Sequence, residues 1–575
     1  MQVLKALVQK HYFLISLMFI MVLYLPVLYF SSVQMDDIGL VQRLHENYSK
    51  INFFDLFFRG ITARYYRPLL EISFYLDYLI WGVSINGYHF GSFLLHNLNA
   101  CLVYLIALQL LKPDKNAGLY AVFAMLLFAL NPLTCESVAW ISGRSDLAGT
   151  FFSLLAINFY FIKNPLRFIL TPICIFLGLL CKENALSVIP IIVLLEGFLN
   201  FQKNRKITEN IKGCLVWAFI VFIPLATYFF FRTNGWEHYS YNYIEVSTPF
   251  AGSKQINNNS DVLKILYVFP VIAFYLKKLI FPFPLNFAIS QINTVFYSVL
   301  FVVFFMSNII CLFKRKLLYV FISILLIISF MPALPVALGG VSWVPLAERY
   351  LYLSVSIMSI AAAFFLKIFY QKGIFNDKSL MIVCTSLIVI FAGTTLNREF
   401  VWKESKTLWA DTLKKNPDNS MVLFKYGQTF GGEEGQWAFK KAIASSENFK
   451  WKSMTFMEIA KYERSNGNYD ESIVNLEKAL EVKKSFANYR DAAQIVSGFD
   501  SNNIQKQQEY INKAIEYFKL AYGKKKTSFV LFKTGILLIK VGKNNEAEEL
   551  FVEIIRKFPD SEYAFYAKKQ LEKND

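Results

Sequence analysis

Long apolar runs broken by short charged stretches occupy the first 396 residues, and a polar, helix-patterned region follows from about Asn397. A helix needs about 20 apolar residues to cross a bilayer. Residues 12–30, 89–111, 118–130, 147–162, 167–181, 185–201, 213–231, 296–313, 317–334, 350–369 and 380–395 are each read as a span. The pattern therefore predicts about eleven spans, followed by a second helical region at 397–575.

The charges flanking these runs orient them. Lys5 and Lys10 precede the first run, which lacks a small-residue cleavage site and reads as a retained signal anchor. Lys112 and Lys115, Lys163, and the cluster Lys203, Arg205, Lys206 and Lys212 follow at alternate boundaries, so these ends are assigned to the cytoplasm. Residues 262–281 are apolar but hold Lys264, Pro270, Lys277 and Lys278. If they spanned, Lys314-Arg315-Lys316 would fall outside, so they are read as re-entrant or interfacial. The outer segment 31–88 carries Phe53, Phe54, Phe57 and Phe58 at helical spacing, which predicts interfacial helices, and a polar outer loop occupies 232–261.

The second region repeats. Gly535, Gly542, Ala547, Phe551 and Pro559 sit at the spacing of a tetratricopeptide (TPR) unit. Ala460, Gly467, Tyr469, Leu476 and Ala479 mark an earlier unit, and Ala514, Phe518 and Ala521 the second helix of another with a longer loop. A degenerate unit surrounds Gly427 and Ala442. Small residues at these positions let paired helices approach, giving a solenoid with a peptide-binding face.

Composition narrows the class. Hydrophobic residues make up 55% of the chain and aromatics 17%, as in an all-α polytopic membrane protein with a soluble part. The net charge of +17 lies largely in flanks that meet anionic lipid headgroups, and no nucleic-acid reader motif accompanies it. The seven cysteines fall in or beside apolar runs without metal-ligand spacing, as small core residues do.

Ionisable residues gather at the predicted outer ends of spans. They are Asp36 and Asp37, Glu136, Arg144 and Asp146, Lys182 and Glu183, and Glu348 and Arg349. Such groups near hydrocarbon are costly and are functional candidates. Carboxylates can deprotonate a hydroxyl or hold a metal, and cations can bind a phosphate. The combination suits transfer of a group from a membrane-borne phosphate carrier to a hydroxyl. A salt bridge or helix cap explains any one of these residues equally well. His89 and His96 share a face near an outer end, where hydrogen-bonded core histidines are the simpler reading. A transporter would instead place charges at mid-bilayer within internal repeats, and a membrane scaffold with a TPR docking surface would not need the acidic pair.

Several stretches in order resemble one family: Met35-Asp36-Asp37-Ile38, Tyr66-Arg67-Pro68-Leu69, Gly87-Tyr88-His89, Leu95-His96-Asn97, Asn131-Pro132 and Glu136-Ser137-Val138. Gly143-Arg144-Ser145-Asp146, Lys182-Glu183, Phe281-Pro282-Phe283-Pro284-Leu285 and Ala347-Glu348-Arg349-Tyr350-Leu351-Tyr352 continue it, and Trp402 and Leu408 lead into the repeats. Together they resemble the transmembrane-and-TPR-containing (TMTC-type) protein O-mannosyltransferases of the GT-C glycosyltransferase superfamily. The short repeat array and the Lys/Asn/Ile/Phe-rich usage read as a bacterial relative. The charge-based topology puts the repeats outside, in the periplasm or outer space of an inner-membrane protein, and the resemblance implies an outward-facing site and a polyprenyl-phosphate-linked hexose, typically mannose, as donor. It implies a polypeptide Ser or Thr as acceptor, and inversion with Asp36 or Asp37 as base. Arg144, Lys182 and Arg349 are then phosphate candidates, with Glu136, Asp146, Glu183, His89 and His96 around the donor. A divalent metal is left open, as is a glycolipid or cell-wall glycan as acceptor. Both Asp36 and Asp37 are expected at the surface end of a helix, where replacement costs little stability.

Overall fold

The structure is a computed structural model describing residues 2–33, 37, 66–204, 206–239, 266–339, 344–446 and 449–572. Asp36, the phenylalanines at 53–58 and most of loop 232–261 lie outside the described residues. Among those described, all regular secondary structure is helical. Contacts separate a first unit, Met1–Val246 with Lys254–Thr412, from a second that includes Leu413–Asp575.

The first unit begins with α1 (Gln2–Tyr24), α2 (Pro68–Trp81), α3 (Ile85–Leu111), α4 (Ala117–Ala129), α5 (Cys135–Ala139) and α6 (Arg144–Tyr160). It continues through α7 (Arg167–Leu179), α8 (Val188–Gln202), α9 (Ile207–Tyr239), α10 (Val268–Ile280), α11 (Thr294–Phe313) and α12 (Leu317–Phe330). It closes with α13 (Leu334–Gly339), α14 (Tyr352–Gln371), α15 (Asp377–Val401) and α16 (Ser405–Lys415), within which the division falls. Helix ends follow local chemistry. Pro68 opens α2, where a missing N–H costs nothing. Asn376 and Ser379 form a reciprocal capping box at the start of α15. Asn131-Pro132 ends α4 because proline cannot continue the ladder, and the Asn131 side chain accepts from Leu133 N instead.

Helix α3 packs against α4 and α6, and α14 lies against α4. Between them Ala100, Val103, Ala107, Ala121 and Ala124 are fully buried, small residues of the kind that allow close approach without a hydrophobic driving force. Helix α11 buries none of its residues fully: it packs along α10 and α12, with Tyr297 against Phe274, and leaves its other side for lipid.

Eight helices are long and apolar enough to cross a membrane among the described residues, or nine if the pair broken at Asn131-Pro132 is one span. The count is below the eleven runs read from the sequence because hydropathy registers composition and not helix ends, and several of those runs form helices shorter than a full span. Helices α4 and α7 have 13 residues each and α6 has 17, or about 20–26 Å at about 1.5 Å per residue against a hydrocarbon core of about 30 Å. Helix α10, the apolar run with Lys277 and Lys278, also has only 13 residues.

The second unit consists of α17 (Ser420–Phe430), α18 (Gly432–Ser445), α19 (Lys452–Ser465), α20 (Tyr469–Val482), α21 (Phe486–Val496), α22 (Ile504–Lys524), α23 (Ser528–Lys540), α24 (Asn544–Lys557) and α25 (Glu562–Leu571). Helices α17–α24 pack as consecutive pairs, and one apolar core runs from Met457 to Ala567. A Cβ on Gly535 would stand 2.7 Å from the fully buried ring of Phe551, and one on Gly427 would stand 2.5 Å from Phe439. In each pair the first helix carries the glycine and the second the ring that fills its space. Gly535→Ala is therefore expected to lower the melting temperature. Overpacking costs about 1–3 kcal/mol, more than the helix-propensity gain of up to about 1 kcal/mol. An unchanged or raised transition in thermal unfolding would contradict the close approach.

Candidate active site

Residues 131–146 are buried throughout, except for half-buried Ser142. Thr134 Oγ1 donates to the Asn131 carbonyl at 2.7 Å, and Tyr24 OH donates to the Ala129 carbonyl at 2.8 Å. Gly143 lies so close to the chain above it that a Cβ would stand 2.9 Å from Ser137 O. This tight segment carries Glu136, Ser142, Arg144 and Asp146, and two groups of ionisable residues meet on it.

The first group surrounds Asp37, which is completely buried. Its Oδ1 accepts from Ser142 N at 3.1 Å and Ser142 Oγ at 2.8 Å, and its Oδ2 accepts from Val33 N at 3.2 Å. The expectation of a surface position is thus revised: donors from two segments hold this carboxylate. Two residues on, Arg144 Nη1 pairs with Asp77 Oδ2 at 2.5 Å. Its Nη2 donates to the Tyr88 carbonyl, its Nε to Ser92 Oγ at 3.4 Å, and its guanidinium lies 4.5 Å from the Phe74 ring centre. Burial pushes the Asp77 carboxyl above the ordinary carboxylate range even against the pull of Arg144.

The second group is a set of four ion pairs. Arg349 Nη1 bonds Glu136 Oε1 at 2.5 Å, and Lys182 Nζ bonds Asp146 Oδ2 at 2.5 Å. Arg67 donates through Nε and Nη2 to Glu183 Oε2 at 3.1 and 2.6 Å. Lys278 Nζ bonds Glu348 Oε1 at 2.6 Å, and Asn286 N donates to the same oxygen at 2.9 Å. Tyr350 connects two pairs, its ring centre 5.7 Å from Lys182 Nζ and 4.9 Å from the Arg349 guanidinium. Four cations facing four carboxylates leave the group neutral. An incoming phosphate must therefore compete with a carboxylate for its cation.

Among the cations, access differs. The Arg349 side chain is 12% exposed and Arg67 18%, whereas Arg144 is 2% exposed and has all three nitrogens engaged. Arg349 and Arg67 are the more accessible guanidinium groups, and Arg144 is enclosed by its partners.

The structure thus brings together Glu136, Asp146, Lys182, Glu183 and Arg349, and sets Asp37 and Arg144 on the same buried segment. His96 stands apart, bonded to Tyr352 OH at 2.7 Å and the Ala129 carbonyl at 3.2 Å within the helix core. His89 is buried and edge-on to Phe30, with ring centres 6.5 Å apart. No cluster of three or more His, Cys, Asp or Glu suited to a metal occurs among the described residues. Sequence reasoning missed Arg67, Asp77, Ser142 and Lys278 as members. Arg67 and Lys278 had a signal, being cations beside or within apolar stretches; Ser142 had none.

No family model matches the chain. A protein O-mannosyl-transferase of Caenorhabditis elegans is 27% identical to it over 379 residues, 64% of this chain and 51% of that protein. Protein O-mannosyl-transferase Tmtc1 of Drosophila melanogaster is 39% identical over 126 residues, 21% of this chain and 14% of its own. Protein O-mannosyl-transferase TMTC3 of Homo sapiens is 31% identical over 141 residues, 23% and 15% respectively. The chain is similar to TMTC-type protein O-mannosyl-transferases. It spans about half the length of the first of these relatives and smaller shares of the other two.

Proposed function

We propose that this chain is an integral membrane glycosyltransferase of GT-C type, working at the outer face of a bacterial inner membrane. It moves a hexose, mannose by preference, from a polyprenyl-phosphate carrier to a Ser or Thr hydroxyl of a polypeptide. Residues 1–396 would do the chemistry, and 397–575, a TPR-like region on the outer side, would engage the acceptor. The observation that carries this reading is Asp37 tied to Ser142 in the segment that also supplies Glu136, Arg144 and Asp146, in a chain similar to protein O-mannosyl-transferases.

In the proposed step a carboxylate takes the proton of the acceptor hydroxyl as its oxygen bonds to the anomeric carbon. The bond from that carbon to the phosphate oxygen breaks on the opposite face, so configuration inverts. The electron pair leaves with the phosphate, where a cation offsets the charge that develops. Asp37 already accepts three hydrogen bonds, which suits it to tie Val33 to Ser142 rather than to receive a proton. Asp36 is then the base and Asp37 the residue that positions it. Arg349 is the phosphate ligand, since a modest swing from Glu136 frees its fork.

Purified full-length protein in a bilayer, given polyprenyl-phosphate mannose and Ser/Thr-containing polypeptides, is expected to add one hexose per modified site by mass. No transfer from any polyprenyl-phosphate sugar would overturn the reading, and hexose appearing only on lipid or glycan would overturn the acceptor. Arg349→Lys keeps the charge beside Glu136 but loses the bidentate fork. Its donor KM is expected to rise roughly 10-fold, the size of one charge-assisted hydrogen bond, with an unchanged melting temperature. An unchanged KM would leave Arg349 a structural partner of Glu136.

A further inference from the structure

An apolar cavity of about 190 Å³ lies within the first unit between α3, α6, α8, α12 and α14. Its lining is hydrocarbon and aromatic apart from Gln202, and one wall is the flat stack of Phe198 on Phe321, with centroids 4.0 Å apart and planes 4° apart. Apolar cavities of about 150 Å³ stay dry and take up small hydrocarbons, so this one suits a segment of lipid chain.

Four helix ends meet the cavity, and each is followed or preceded by a cation. Leu110 is two residues from Lys112, Phe161 two from Lys163, Gln202 one from Lys203, and Leu318 two from Lys316. All four lysines are exposed, and none pairs with a carboxylate among the described residues. Two of the nearby acids are occupied elsewhere: Asp114 faces Lys367 at 3.6 Å, and Glu196 accepts from Tyr160 OH at 2.7 Å and Asn200 Nδ2 at 2.8 Å. A cationic rim over a hydrocarbon slot is complementary to an anionic headgroup bearing acyl chains.

The cavity is also remote from the ion pairs. Helix α6 starts at Arg144 and its first lining residue is Leu154, so at about 1.5 Å per residue some two turns of helix, about 12 Å, separate Asp146 from the cavity. A carrier whose phosphate sits among Arg349, Lys182 and Arg67 cannot also rest that phosphate on the lysine rim.

We infer that the cavity and its rim of Lys112, Lys163, Lys203 and Lys316 form a binding site for an anionic phospholipid, separate from the donor site. The inference does not depend on the transferase reading. Full-length protein in detergent is titrated with phosphatidylglycerol, phosphatidylcholine of the same acyl chains, and a polyprenyl phosphate, and retained lipid is read by native mass spectrometry. Phosphatidylglycerol is expected to be retained at least about tenfold over phosphatidylcholine, from the summed attraction of four lysines. The surface variant Lys112→Gln/Lys163→Gln/Lys203→Gln/Lys316→Gln, which alters no buried contact, should lose that preference. Ala361→Phe, which fills the cavity, should lower retention of both phospholipids. Equal retention by the wild type, or a preference that survives the quadruple variant, overturns the site. So does a polyprenyl phosphate that displaces phosphatidylglycerol from the wild type but fails to bind Ala361→Phe, because the cavity would then belong to the donor.

Discussion

Asp36→Asn is expected to lower sugar transfer by about 10²–10⁴-fold, the usual contribution of a general base, while the protein folds, inserts and retains its donor. The amide is nearly isosteric with the carboxylate but cannot take the acceptor's proton. Asp37→Asn should differ in kind. Its amide would point an N–H toward donors on Val33 or Ser142, so a bond is lost and a buried donor left unmet. That costs about 1–3 kcal/mol of stability along with the rate. Parallel measurement of transfer rate and melting temperature separates the two roles. Wild-type transfer by Asp36→Asn would end the assignment of the base.

Arg144→Gln should be the most damaging single change to folding, at about 3–5 kcal/mol, because it strands the Asp77 carboxylate without its partner. The Tyr88 carbonyl loses its donor as well. Since burial raises the Asp77 carboxyl even with Arg144 present, the ionised pair is not itself a large net gain. The double variant Asp77→Asn/Arg144→Gln is therefore expected to recover most of the loss. Thermal unfolding of the two single variants and the double gives the coupling directly. A wild-type melting temperature for Arg144→Gln would mean that the pair anchors nothing.

Patterns that repeat along the chain were legible before any coordinates. Spacing alone placed Gly535 and Phe551 in one helix pair, and the structure adds that the ring fills the space the glycine leaves. The apolar runs located the helices but not their lengths, since residues such as Leu130, before the break at Asn131-Pro132, look the same whether a helix continues or stops. The site residues were recognisable as charges beside hydrocarbon, but their partners were not. Asp77 meets Arg144, Glu136 meets Arg349, and Arg67 meets Glu183, each across a large sequence separation. Nothing local distinguishes a cation kept for a ligand from one already neutralised. Lys278 reads as an oddity within an apolar run until Glu348 is found opposite it.

The 13-residue α4 and α7 and the 17-residue α6 lead into or out of the segments holding the ion pairs. Helices of that length fall short of the hydrocarbon thickness by about 4–10 Å. A bilayer meets such a deficit by dimpling inward or by letting water in at the short ends, at a cost of fractions of a kcal/mol per Å. Set across a bilayer, helices this short would thin the membrane beside Glu136, Asp146 and Lys182, drawing headgroups and water toward the ion pairs.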